Sequence, residues 1–114
     1  GMTIAEALQT ADALRKNQLT EAIKIRWLTE LEGRILAEIA GLVPEKIPVF
    51  NEHTPQILRL FAPAPYDRVY WTYLMKMIDY AAKDADAYQM SAAIFKEAYE
   101  DFAKWYHRTK GGRM

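Results

Sequence analysis

The sequence predicts an all-α fold of about four helices, with a long proline-rich connection between the second and the third. Three observations carry this. Apolar residues recur at steps of three and four in four separate stretches. Residues that start and stop helices bracket those stretches. All five prolines lie between Pro44 and Pro65, where each removes a backbone donor and rules out a helix interior.

The first helix is predicted over Thr3–Arg15. Thr3 and Glu6 have capping-box spacing, Ile4, Leu8 and Ala11 follow at helical period, and Leu14 closes the stripe. Lys16-Asn17-Gln18 reads as a short polar turn. The second helix is predicted over Thr20–Ala40, with Thr20 as N-cap and Leu28, Leu31, Ile35 and Ile39 as its core stripe, flanked by Ile25 and Leu36. Gly41 suits the left-handed position just past a helix end. Two residues break the pattern. Glu32 falls inside the apolar arc, which leaves two readings: a carboxylate at the stripe edge reaching water, or a structural buried carboxylate held by a cation or a tyrosine hydroxyl. Gly33 sits in mid-helix, where glycine is unfavourable, and is expected to let another backbone approach.

From Leu42 to Ala64 no helical period is sustained. Ile47, Val49 and Phe50, and then Ile57, Leu58, Leu60 and Phe61, are candidates for short extended pieces. A connection this long is unusual in a compact domain. Its apolar content predicts packing on its own domain or on a neighbour.

The third helix is predicted over Pro65–Ala82, with Pro65 preorganised for the first position. Arg68, Thr72, Lys76, Asp79 and Lys83 crowd into an arc of roughly 80° at ~100° per residue, and most of the other positions are apolar or aromatic. The apolar remainder exceeds the stripe of about 100° that a surface helix needs. The side around Trp71 and Met75, with Phe50 and Phe61 of the connection, is therefore the candidate partner interface. The fourth helix is predicted over Asp86–His107, where Tyr88, Ala92, Phe95, Tyr99, Phe102 and Tyr106 form a stripe. The expected core is Leu28, Leu31, Ile35, Tyr73, Met77, Phe95, Tyr99 and Phe102. Of the aromatic residues only Trp27 and Phe50 precede Phe61.

A length of 114 residues predicts one domain, set at residues 2–110 with a flexible tail at 111–114. Gly1 before Met2 reads as a cleavage scar. The formal net charge is zero, so tight non-specific binding to nucleic acid is not expected. One charge asymmetry stands out: Lys104, Arg108, Lys110 and Arg113 follow one another with no acidic residue among them. This reads either as a solvated helix end suited to the dipole or as a tail touching an acidic partner or a DNA backbone.

Cysteine is absent, which excludes disulfides and thiolate metal sites. His53 and His107 have no metal-ligand spacing, and the glycines form no phosphate loop. Glu30 and Glu32 cannot face each other on a helix. No catalytic, cofactor-binding or metal-binding residue is assigned, no small-molecule substrate is expected, and the chain is not expected to be an enzyme. No run approaches the ~18 apolar residues of a membrane span and no leader precedes the first helix, so a soluble chain with no membrane partner is expected.

The run Lys24-Ile25-Arg26-Trp27-Leu28-Thr29-Glu30-Leu31-Glu32-Gly33-Arg34-Ile35 resembles the signature of small all-α head–tail connector (head-completion, neck) proteins of Firmicute phages and prophages. The same group has a segment like Pro63-Ala64-Pro65-Tyr66-Asp67, a tyrosine-rich helix like Tyr73-Leu74 to Ile78-Asp79-Tyr80, and a last helix like Phe95 to Trp105-Tyr106. The likeness covers most of the chain and is weakest between Leu42 and Gln56, where this sequence has more prolines and fewer acidic residues than some members. The resemblance implies a small helical structural protein that assembles as a ring under the portal. It implies as partners other copies of itself, the portal and tail-completion proteins, with passing contact with DNA in the channel. It implies a place in the virion or the bacterial host cytoplasm, and it carries over no catalytic residue. The alternative from a different class is a small helical DNA-binding or regulatory module, for which the basic tail is the support.

Overall fold

A computed structural model describes residues 1–111; of the predicted 111–114 tail, the part after Gly111 lies outside the described residues. The chain is all-helical. Helix α1 runs Ile4–Leu14, α2 Glu21–Glu38, α3 Arg68–Ala81 and α4 Ala85–Tyr106. A π-type turn, His107–Gly111, continues α4. Between α2 and α3 the helical content is one 3₁₀ turn, Pro44–Lys46.

The helix starts follow side-chain chemistry. Thr3 accepts from the Glu6 amide at 3.1 Å while its own amide donates to Glu6 Oε1 at 2.8 Å, so two of the orphan amides of α1 are satisfied reciprocally. Thr20 caps α2 through the Ile23 amide at 3.3 Å, and Asp84 caps α4 through the Ala87 amide at 3.1 Å. Gly41 ends the second helix with φ +78°, a backbone geometry that costs glycine nothing. The polar turn is pinned by Asn17, whose amide donates to Asp12 and to the Arg15 carbonyl, both at 2.9 Å. Lys24, buried in α2, closes this knot with both Asp12 oxygens at 2.9 Å.

Several expectations are corrected. Helix α3 begins three residues after Pro65, because Pro65 belongs to a turn closed by the Tyr66 amide on the Pro63 carbonyl at 2.7 Å. The candidate extended pieces form no strand among the described residues; only an isolated antiparallel bridge, Thr3 to Arg59, is present. No backbone approaches Gly33. A Cβ placed there would meet the Ile47 side-chain methyl at 3.5 Å, an ordinary contact.

The largest correction concerns the face of α3. This helix packs against α1, α2 and α4 together. It buries Val69, Tyr70, Leu74 and Ile78, and with them Thr72, Met75 and Asp79. Tyr73 and Met77, expected in the core, are half-buried, as is Tyr99 on α4. Leu28, Leu31, Ile35, Phe95 and Phe102 are buried. Two residues of the supposed polar arc go inside because each has a local partner. The Thr72 hydroxyl donates to the Arg68 carbonyl at 2.8 Å. Asp79 takes Arg15 Nε at 2.9 Å and the Ser91 hydroxyl at 2.8 Å. Much of the apolar side of α3 is thus used within the chain, while Trp71, Tyr73 and Met77 are half-buried and Tyr80 is exposed.

Two outcomes follow from this packing. Leu74→Ala should lower stability by about 2–5 kcal/mol, whereas Met77→Ala should cost only about 1 kcal/mol; denaturant melts of the two variants decide which face is core, and equal losses would restore the original assignment. Gly33→Ala should raise stability by about 0.5–1 kcal/mol, a gain of a few degrees in Tm. A fall in Tm would mean that Ile47 cannot accommodate the added methyl.

Candidate interaction surface

Glu32 is buried, at 3% exposure. Its Oε1 accepts from the Tyr70 hydroxyl at 2.6 Å and its Oε2 from the Phe61 amide at 2.7 Å. The Tyr70 oxygen in turn accepts from the Ala62 amide at 2.8 Å. The holding group is a tyrosine hydroxyl with a backbone amide, and no arginine takes part. Burial pushes the Glu32 carboxyl above its ordinary range, against the lowering effect of these two hydrogen bonds. Burial, followed by the charge of Glu32, pushes the Tyr70 phenol up.

The clamp fixes Phe61 and Ala62 between α2 and α3, which sets Phe61 against the end of α4. The Phe61 ring lies 6.4 Å from Phe102 and 5.8 Å from Tyr106, centroid to centroid. Tyr66, in the turn before α3, stacks on Trp105 at 5.0 Å with planes 22° apart. Trp105 also lies 6.1 Å from Phe102, at 24°. Beside this cluster opens a cleft of about 490 Å³ lined by Phe61, Pro63, Ala64, Trp105, Tyr106 and Lys110. Lys110 of this lining is exposed, as are Lys104 and Arg108 on the same helix end, and none of the three is in an ion pair among the described residues.

A second polar seam joins α2 to α4. Tyr99 donates to Glu38 at 2.6 Å, Arg34 Nε donates to the same carboxylate at 3.1 Å, and the Arg34 guanidinium lies 4.7 Å from the Tyr99 ring centre. Two hydrogen bonds, Tyr99 first and then Arg34, hold Glu38 below the usual carboxylate range.

Of the four residues assigned to a partner interface, the structure brings only Phe61 to the cleft. Phe50 is 4% exposed and Met75 6% exposed; both are taken up inside the chain, which removes them from any outer surface. The Phe50 amide is also held by Thr29 Oγ1 at 2.8 Å. Trp71 is half-buried and packs on the core. Sequence reasoning missed Tyr66, Trp105 and Tyr106 as surface groups. The signal was present, since Phe102, Trp105 and Tyr106 at steps of three and four meet the basic run.

A second exposed region lies on the segment between α2 and α3. Val43, Val49, Ile57 and Leu58 are exposed, Val49 at 77% and Ile57 at 83%. Among the described residues no group of three or more His, Cys, Asp or Glu is placed to hold a metal ion, and no helix is long and apolar enough to cross a membrane. In comparisons with known proteins, no family model, no curated protein and no solved structure matches the chain.

The raised Glu32 carboxyl has a signed consequence. The folded chain holds this proton more tightly than the unfolded chain, so Glu32 makes stability fall as pH rises from the ordinary value of 4.5 to the higher folded value, and level off above it. Urea melts from about pH 4 to about pH 7 should show the wild type losing ground to Glu32→Gln across that window. A constant offset between the two proteins would show that Glu32 titrates alike folded and unfolded.

Proposed function

We propose that this chain is a structural adaptor of a tailed phage or prophage particle, a subunit of a connector ring joining portal and head to tail. Its partners in this reading are other copies of itself, the portal and tail-completion proteins, with DNA passing in the channel. It works in the virion or in the bacterial host cytoplasm. The reading uses no catalytic residue, cofactor or metal; it uses surface shape and order.

One observation carries it beyond the sequence resemblance. Among the described residues, four of the nine exposed large apolar side chains, Val43, Val49, Ile57 and Leu58, stand on the segment Val43 to Leu58 between α2 and α3, the others being Leu14, Ile23, Phe61, Tyr80 and Met90; an exposed apolar patch is the mark of a contact surface. The interface is accordingly assigned to the outer side of that segment, with Phe61 at its end, rather than to the Trp71 and Met75 side of α3. The segment is long and proline-rich because it serves as this contact element. Prolines stiffen such a surface by fixing φ and removing donors.

The reading is tested by electron microscopy of concentrated protein and of particles bearing a portal. Rings are expected with the wild type. The double substitution Val49→Asp, Ile57→Asp should abolish them while shifting the thermal midpoint by only a few degrees, since both side chains are exposed. A wild-type chain that forms no ring in either setting overturns the adaptor reading.

A further inference from the structure

We propose that the cleft at the end of α4 is a docking site for a peptide segment of a partner protein, one that carries an apolar or aromatic anchor flanked by carboxylates. This deepens the adaptor reading and rests on it, because it states what a neighbouring protein presents.

Shape supplies the first part of the argument. The cleft is walled by Pro63, Ala64, Phe61 and the aromatic pair Trp105–Tyr106, a proline and aromatic lining that accepts an apolar side chain. The walls are ordered. The Glu32 carboxylate and the Tyr70 hydroxyl hold the amides of residues 61 and 62, and the Thr109 hydroxyl donates to the Trp105 carbonyl at 2.8 Å. A site whose walls are already fixed loses little freedom on binding.

Charge supplies the second part. Lys110 lines the cleft itself, Lys104 and Arg108 are exposed on the same helix end, and no acidic residue follows Asp101 in the chain. Cations at a helix C-terminus offset its partial negative charge, which amounts to about half an elementary charge; three lysine and arginine side chains exceed it several-fold. The surplus selects an acidic partner.

The lining separates a peptide from a nucleic acid. A single-stranded nucleic acid binds by laying bases on free aromatic faces. Here one face of Trp105 is taken up by Tyr66 at 5.0 Å, and Pro63 and Ala64 make up the wall beside Phe61 and Tyr106. The proline ring and alanine methyl group fit an apolar side chain rather than a run of stacked bases. The zero net charge of the whole chain also gives no long-range attraction for a polyanion.

The test is an NMR titration of the full chain, labelled with nitrogen-15. The probe is a capped heptapeptide with a proline–phenylalanine–leucine centre and two glutamates on each side. Saturable shifts confined to residues 61–66 and 102–110, including the Trp105 indole N–H, are expected. They should weaken with salt, be absent with the lysine counterpart of the peptide, and weaken about tenfold in Lys104→Glu, Lys110→Glu. Both substitutions are on exposed side chains, so an unchanged spectrum elsewhere verifies the fold. A flat titration, or shifts scattered over the surface, overturns the proposal and leaves the adaptor reading to the microscopy. Larger shifts at the cleft with a short oligothymidine would assign it to nucleic acid instead. Shifts at the cleft that grow with protein concentration alone would assign it to a second copy, and either result overturns the peptide.

Discussion

The carboxylate of Glu32 organises this molecule. Placing it at 3% exposure is costly unless its oxygens are hydrogen-bonded, and both are, by the Tyr70 hydroxyl and the Phe61 amide. The result is a three-way junction of α2, α3 and the segment that returns between them. That segment forms no strand, so no ladder sets its register. The clamp sets it instead. Once residues 61 and 62 are fixed, the preceding residues fall across the start of α1, where the Leu58 and Gln56 carbonyls accept from the Ile4 and Ala5 amides at 3.1 and 3.0 Å. Those amides are among the orphan donors of a helix N-terminus. One buried carboxylate thereby positions a connection, a helix start and the aromatic end of α4.

Two further polar knots complete the frame. Arg15, Asp79 and Ser91 tie α1 to α3 and α4, and Lys24, Asp12 and Asn17 tie α2 to α1 and the turn between them. Apolar packing alone is tolerant of small rotations about a helix axis. A hydrogen-bonded ion pair with a buried partner is not, because rotation would leave a desolvated charge unpaired. These knots define which side of each helix faces inward, and they explain why α3 buries Asp79 while Tyr73 and Met77 stay at the rim.

How much of this was legible in the sequence depends on range. Capping is local, so Thr3 with Glu6 and Thr20 with its helix could be read directly, and the four helices follow from period and breakers. Glu32 was legible as an angular anomaly in α2, but its partner lay 38 residues away and could be named only as a residue type. The face of α3 was not legible. Its polar and apolar residues were counted as if solvent lay along one side, whereas the helix is packed against three others; on that side Asp79 finds partners from the end of α1 and from α4, and Thr72 bonds back to its own helix. The cleft failed for a related reason. Its walls come from residues 61–64 and 105–110, which are distant in sequence. Only the coincidence of an aromatic pair with an unbroken basic run pointed toward it.

The exposed side of the connection has the same physical origin as the cleft. Val49 precedes an amide held by Thr29. Residues 51–54 close their own turn through Asn51 and Thr54. The Gln56 and Leu58 carbonyls are committed to α1. With its backbone anchored at each of these points, the segment cannot roll Val49 or Ile57 inward without breaking a hydrogen bond, and loss of one with a buried partner costs about 1–3 kcal/mol. That is comparable to the gain from burying one such side chain, about 1.5–3 kcal/mol, so collapse offers little net driving force. A partner surface can remove the same apolar area from water without breaking any of these bonds. The ordering of the segment is therefore what makes its apolar groups available for association rather than for the core.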